Sequence, residues 1–279
     1  MLLGIDFGST ITDVITVAGG KTVSHVELTR PGPASLALLD KALGAIGVAP
    51  ADIAGIAVTG GQSRSLPGQH RGVPLIKVDE PTATAMGALG LAGGGKALVV
   101  SCGTGTAIIA ADAGAGSYVH VTGTPVGGGT LEGLGQLLIG VPDGAELANM
   151  AATGSASGVD TTLADVLGGS LGNLPPTATA VSFGRVRSLS ERPSRADTAA
   201  GLCVMVAQTI ALIALNAAKA SELERAVFVG RVAQLPVVSK MLTAVFAVYR
   251  FPNAPLLPAH GERATALGAA LHAELSLPA

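Results

Sequence analysis

The chain has 279 residues, enough for one large domain or two lobes with substantial cores. Apolar residues make up 48% but aromatics only 3%, with no tryptophan, so the core has to be built from Ala, Val, Leu and Ile. A net charge of -2 without a basic face or a block of like charge argues against nucleic acid as a partner, and two cysteines cannot make a disulfide framework.

Met1-Leu2-Leu3 runs directly into a strand pattern with no signal peptide visible, which sets the expectation of a cytoplasmic location. Leu2 to Ile5 is a short apolar run, and Asp13 to Val17 reads as the returning strand of a hairpin. Leu36, Leu39, Leu43 and Ile46 repeat at helical spacing and predict a helix over 34–46. Strands are expected at 53–59, ending at Gly60-Gly61, and at 75–78, ending at Asp79-Glu80. Pro81 then opens a helix through Leu91, as Pro is favoured in a first turn. After Gly93-Gly94-Gly95 come strands at 97–100, 106–111 and 118–123, and helices at 131–140 and 145–152. Residues 154–176 are Gly/Ser-rich and read as an irregular insertion. A long helix over 195–220, a strand over 226–229 and helices over 237–248 and 263–274 complete the chain. The most apolar stretch, Leu202 to Ala218, carries Gln208, Thr209 and Asn216 and is short for a membrane span, so no membrane partner is expected.

Three glycine-hydroxyl turns fall where strands end: Gly4 to Thr10, Ser101 to Thr106, and Gly123 to Thr130. Glycine lets backbone N–H groups crowd an anion without a Cβ in the way, and Ser and Thr hydroxyls add donors. Each half of the chain thus reads strand, glycine turn, strand, strand, helix. This weak internal repeat predicts an α/β protein of two lobes, 1–94 and 95–279, with a ligand cleft between them.

These turns, the Asp79-Glu80 pair, Val121-Thr122-Gly123-Thr124 running into Gly127-Gly128-Gly129-Thr130-Leu131-Glu132-Gly133-Leu134, Val181-Ser182-Phe183-Gly184 and Val227-Phe228-Val229-Gly230 resemble the type II pantothenate kinases, the "fumble"-like branch of the actin-like ATPase superfamily of sugar kinases, Hsp70 and actin. The resemblance implies a two-lobed actin-like ATPase (ribonuclease H-like) fold with a nucleotide cleft. It implies ATP and Mg²⁺ as cofactors and transfer of a phosphoryl group to a hydroxyl of pantothenate or a related small acid or alcohol, a step of coenzyme A biosynthesis. It also implies a homodimer built around the 195–220 helix. By the same resemblance Gly8, Ser9 and Thr10 form a β/γ-phosphate loop with Asp6 near Mg²⁺, and Gly103, Thr104 and Gly105 form the other phosphate loop. Glu80 is the expected catalytic base. Gly127, Gly128 and Gly129 wall the nucleotide, Gly230 lies on the adenosine side, and His120, Thr122 and Thr124 face the substrate. The chain departs from the family pattern twice: Asp13 stands where family kinases carry a Lys, and His120 where they carry an Arg.

Each of these residues also has a plainer role. Asp6 can cap its own turn, and Glu80 can pair with a helix dipole, leaving the base to Asp79. Asp13, in Thr10-Ile11-Thr12-Asp13, can be a second acid near Mg²⁺, a pattern that resembles hydantoinase and acetone carboxylase ATPases. Cys102 is expected to be buried and inert. Arg185, Arg187, Arg192 and Arg195 form a solvated run, or one of them, Arg185 foremost, reaches an acidic substrate in place of the missing Arg. Two alternatives to a kinase follow: an actin-like ATPase that drives a partner protein, or a catalytically weak nucleotide-binding regulator.

Overall fold

Within Leu2–Phe7 the large apolar residues Leu3, Ile5 and Phe7 alternate with Leu2, Gly4 and Asp6, so this strand offers one face to each of two covering layers. The computed structural model describes residues 1–29 and 32–276. In chain order the first elements are β1 (Leu2–Phe7), β2 (Ile11–Ala18), β3 (Lys21–Thr29), α1 (Leu36–Ile46), β4 (Gly55–Gly60), β5 (Gln69–His70), β6 (Val73–Lys77) and α2 (Glu80–Leu91). Then come β7 (Lys96–Cys102), β8 (Thr106–Asp112), β9 (Ser117–Thr124), α3 (Gly128–Ile139), α4 (Gly144–Ala151), β10 (Thr161–Thr162), α5 (Leu163–Leu167) and β11 (Thr179–Val181). The last are α6 (Arg195–Ala220), β12 (Ala226–Val229), α7 (Arg231–Gln234), α8 (Pro236–Val248) and α9 (Ala264–Ser276).

The chain divides into two compact units: Met1–Val99 with Ile109–Val121 and Pro258–Ala279, and Val100–Ile108 with Thr122–Leu257. This differs from the expected cut at residue 94. The C-terminal segment belongs with the first unit because α9 packs on β1, β2 and β4 and against α2. Its buried residues are Ala and Gly apart from Leu267, which suits a helix lying flat on a sheet.

The first unit holds a six-stranded sheet in the order β3-β2-β1-β4-β6-β5. β1 runs antiparallel to β2 and parallel to β4. One face packs Leu3, Ile5, Phe7, Val14, Ile56 and Val58 against Leu38, Leu39 and Leu43 of α1. On the other face Leu2 and Ala57 meet Ala269 and Ala273, while Ile15 and Val17 meet Ala266 and Ala270 of α9. α2 and α9 approach so closely that a Cβ on Gly87 would fall on the carbonyl oxygen of Ala264, and one on Gly268 on that of Ala83.

A four-stranded sheet has the order β12-β7-β8-β9, which repeats the order β4-β1-β2-β3 of the first unit. The repeat expected from the sequence is therefore present in strand order. In the second unit α6 packs against α8, α4 and α3. It is long and apolar enough to cross a membrane, with mean hydropathy 2.0, and 72% of its most apolar window is buried against the rest of the chain. Three of the five phenylalanines gather beside it: Phe228 and Phe246 lie edge to face at 5.5 Å, and Phe246 and Phe251 at 5.0 Å.

Candidate functional site

In the first unit the site is set by strand register. Asp6, half-buried next to the last residue of β1, stands opposite Asp13 on β2 and Thr59 on β4. Directly paired residues share a face, so all three side chains stand on the side covered by α2 and α9. Gly60, at φ +84°, closes β4 against them: a Cβ there would lie 2.6 Å from Asp6 Oδ1 and 2.7 Å from the carbonyl oxygen of Phe7. The N–H of Gly61 donates to that same carbonyl at 3.0 Å. Gly8, Ser9 and Thr10 follow as a bend, with both hydroxyl residues exposed. The hydroxyls of Thr12 and Thr59 are buried without a hydrogen-bond partner among the described residues. By alternation Thr12 points to the α1 side, and Thr59 to the side of Asp6. The sequence reading stopped the strand at Thr59 and gave the residue no role.

Asp79 and Glu80 have separate tasks. Asp79 is the N-cap of α2, and its Oδ1 accepts the N–H of Thr82 at 3.0 Å. Glu80, the first helical residue, is exposed and makes no side-chain hydrogen bond among the described residues. Of the two carboxylates, Glu80 is the one left to face a ligand.

In the second unit the second turn sits at the centre of a glycine cluster. The N–H of Gly103 donates to the carbonyl of Gly105 at 2.9 Å, which tightens the turn. The N–H of Gly128 donates to Gly103 O at 2.8 Å, that of Gly129 to Thr104 O at 2.9 Å, and that of Gly127 to Thr130 Oγ1 at 3.2 Å. The third turn thus spends its amides on the second turn and on its own helix start. Gly127 has to be small for the same reason, since a Cβ would lie 2.7 Å from Thr104 O and 2.8 Å from Gly103 O. Gly230, at φ +89°, begins α7, and a Cβ there would strike Cys102 O. Gly230 closes β12 against the second turn as Gly60 closes β4 against the first. The sequence named Gly230; its counterpart Gly60 was legible through the repeat, as the glycine that ends the matching strand.

His120, Thr122 and Thr124 alternate along β9 and therefore share one face of that strand. His120 is exposed, the two threonines are half-buried, and Thr124 Oγ1 accepts the N–H of Val126 at 3.2 Å. Arg185 is tied into its own loop: Nη2 donates to Asp165 Oδ2 at 2.6 Å and Nε to the carbonyl of Asp160 at 3.3 Å. The Thr162 N–H, its hydroxyl and then Arg185 hold Asp165 below the usual carboxylate range. Burial pushes Asp160 upward, opposed by the Phe183 N–H and the Thr179 hydroxyl. Arg195 donates to the carbonyl of Ile139 at 2.9 Å and so serves the C-terminus of α3, while Arg187 and Arg192 are exposed. Cys102 is fully buried, which pushes its thiol up to about 12.

The fold recurs in solved structures. The activator of the 2-hydroxyisocaproyl-CoA dehydratase from Clostridium difficile with bound ADPNP matches with a TM-score of 0.71 at 19% identity, over 100% of this chain and 98% of that one. A ROK family glucokinase from Streptomyces griseus, in complex with glucose and AMPPNP, matches with a TM-score of 0.60 at 16% identity, over 98% and 99%. The chain has the actin-like ATPase fold. The Fumble family profile matches residues 97–272, and the chain belongs to that family. A type II pantothenate kinase from Bacillus cereus (strain G9842) is 27% identical over 226 residues, covering 78% of this chain and 81% of its own length.

Proposed function

We propose that this chain is an ATP-dependent kinase that phosphorylates a hydroxyl of a small acid or alcohol, with pantothenate the first candidate. Family membership supports the reading. The observation that carries it is the matched pair of strand-end turns, each locked by a left-handed glycine, Gly60 on Asp6-Phe7 and Gly230 on Cys102. With no Cβ at either position each turn packs tightly against the end of the neighbouring strand, which fixes the backbone of the exposed Ser9-Thr10 and Gly103-Thr104 that would face phosphate.

The residues fit Mg²⁺-ATP. Asp6 is a carboxylate beside a buried hydroxyl, Thr59, that has no partner among the described residues, and would hold the cation directly or through water. Gly8, Ser9 and Thr10, with Gly103, Thr104 and Gly105, would receive phosphate oxygens, and Gly230 the nucleoside side. Given their internal hydrogen bonds, Gly127, Gly128 and Gly129 would act by buttressing the second turn. When bound, Mg²⁺ supplies charge neutralisation on the phosphates. Glu80 would accept the proton of the acceptor hydroxyl, and His120, Thr122 and Thr124 would orient the acceptor along one face of β9. The reading includes Mg²⁺-ATP chemistry in the cytoplasm by a homodimer whose contact is the half-buried α6 stripe of Met205, Thr209, Leu212 and Ile213.

The test is ADP release, with Mg²⁺-ATP alone, with pantothenate, and with related hydroxy acids. Turnover that depends on acceptor supports the kinase. Asp13, an acid beside the first turn, favours a second reading, an ATPase without acceptor; turnover indifferent to every acceptor would select it. No binding of ATP or ADP at millimolar levels would end both.

A further inference from the structure

Asp13, His25 and Glu27 come together on one face of the first unit's sheet, and of the three only Asp13 has figured in the readings above. Register assembles them. Asp13 pairs directly with Glu27 across β2 and β3, and His25, two residues before Glu27, shares its face. One ligand atom from each lies within 4.8 Å of the others. His25 Nε2 is 2.9 Å from Asp13 Oδ1 and 4.0 Å from Glu27 Oε1. The side chains are 4%, 16% and 39% exposed in the order Asp13, His25, Glu27, so the cluster has a buried floor and one open side. The row continues, since Asp6 pairs with Asp13 and Thr59 with Asp6, and Glu27, Asp13, Asp6 and Thr59 cross four strands on one face. Thr59, fully buried at the end of that row, carries a hydroxyl with no partner among the described residues, but it stands beside Asp6, two strands from Asp13, and belongs to the first turn rather than to this cluster.

We propose that Asp13, His25 and Glu27 bind a divalent transition cation of the Mn²⁺ or Zn²⁺ kind. Carboxylates placed opposite one another on a sheet repel, and a dication reverses the sign of that interaction. One imidazole nitrogen with two carboxylate oxygens favours these metals over Ca²⁺, which takes oxygen ligands only. Bonds of about 2.0–2.2 Å place ligand atoms at most about 4.4 Å apart, so the cluster has to close by only a few tenths of an ångström. The cation takes the Nε2 lone pair of the neutral imidazole in its Nδ1–H tautomer, so a proton on Nε2 moves to Nδ1 through solvent and the hydrogen bond to Asp13 gives way to the metal. Three protein ligands leave the remaining positions to water.

The proposal does not rest on the kinase reading, because binding is measured without nucleotide. Chelator-treated protein is titrated with MnCl₂ and, separately, ZnCl₂ by calorimetry. The expected result is one site per chain, saturating well below millimolar, weakened about tenfold or more in His25→Gln and in Asp13→Asn. On the wild type, Zn²⁺ should shift the ¹⁵N signals of the His25 imidazole, a measurement that needs no variant to fold. Three results would overturn the proposal: no binding at millimolar metal, undiminished binding by His25→Gln, or Zn²⁺ binding that leaves the His25 signals unmoved. The last two would put the cation elsewhere, with Asp6 the first place to look.

Discussion

Asp79 and Glu80 are neighbours with the same chemistry, and the backbone separates their roles. Asp79 lies just outside α2 with extended φ and ψ, so its carboxylate turns back onto the Thr82 N–H; Glu80 lies inside the helix and projects from it. Asp79→Ala should therefore cost about 1 kcal/mol of stability, read by urea unfolding. On the kinase reading Glu80→Gln should leave stability alone and lower kcat by about 10²-fold or more. The reverse assignment of effects would give the base to Asp79. His120 carries a second prediction. A carboxylate held by Arg gains about 1.5–3 kcal/mol, whereas a single imidazole hydrogen bond gives about 0.5–1.5 kcal/mol. If pantothenate is the acceptor, His120→Arg should tighten it by about ten- to thirtyfold in KM. No gain would mean that His120 does not meet the carboxylate. Cys102 and Cys203, with thiols pushed up by burial to about 12 and about 11, stay protonated at pH 8. A disulfide reagent at that pH should label neither in the folded chain and both after denaturation. These thiols lose their proton first in the unfolded chain, so their contribution to stability is whole below about pH 8.5 and falls as pH rises past it. The expectation of a buried, inert Cys102 holds: the residue follows the buried run Ala97 to Val100, although the turn after it is exposed. Arg185 is held by Asp165, 20 residues away in a stretch that reads as irregular, and nothing local marks that pair.

At the level of elements, what was legible depended on burial. α6 and β12 fall where the apolar pattern put them, because both are buried and their pattern is unbroken. β3 went unread. It is the edge strand of its sheet, mostly exposed, and Lys21 to Thr29 holds a single buried residue, Leu28, so no apolar run announces it. Yet β3 brings His25 and Glu27 to Asp13, which is why that cluster was invisible in the sequence. Glycines that receive an anion and glycines that receive a neighbouring backbone look the same in sequence, and the contacts of Gly127, Gly128 and Gly129 with the second turn were not legible there. The same close approach governs α2 and α9. Gly268 places its Cα against the carbonyl oxygen of Ala83, which is helix backbone and cannot step aside. Gly268→Ala should destabilise the chain by about 1–3 kcal/mol or more, although alanine has the better helix propensity by about 1 kcal/mol. A stabilised variant in thermal unfolding would mean that the two helices are not packed in this way.

The first unit as a whole is closed by the last segment of the chain, and this is the feature least visible from the sequence. The glycine run at 93–95 reads as a boundary, and locally it is a turn with three positive φ values. The contacts that decide membership are made about 170 residues later, where α9 returns to β1, β2 and β4. Small residues make that return possible: Gly4 lets the backbone of Ala266 rest on β1, and Ala269, Ala270 and Ala273 continue the flat contact. A chain ending at Leu257 loses this layer. Leu2, Ile15 and Val17 then face water, and the burial of Leu267 is lost. At about 1.5–3 kcal/mol for each large side chain, these four amount to about 6–12 kcal/mol. That is the size of a typical total stability, about 5–15 kcal/mol. The expected outcome is a first unit without cooperative unfolding: amides of β1, β2 and β4 that exchange slowly in the full chain should exchange at once in the truncated one, while those of α6 in the second unit keep their protection. Retained protection in β1 and β4 would show that α9 is an accessory layer, and that the sheet with α1 and α2 is sufficient to hold the first turn and Glu80 in place.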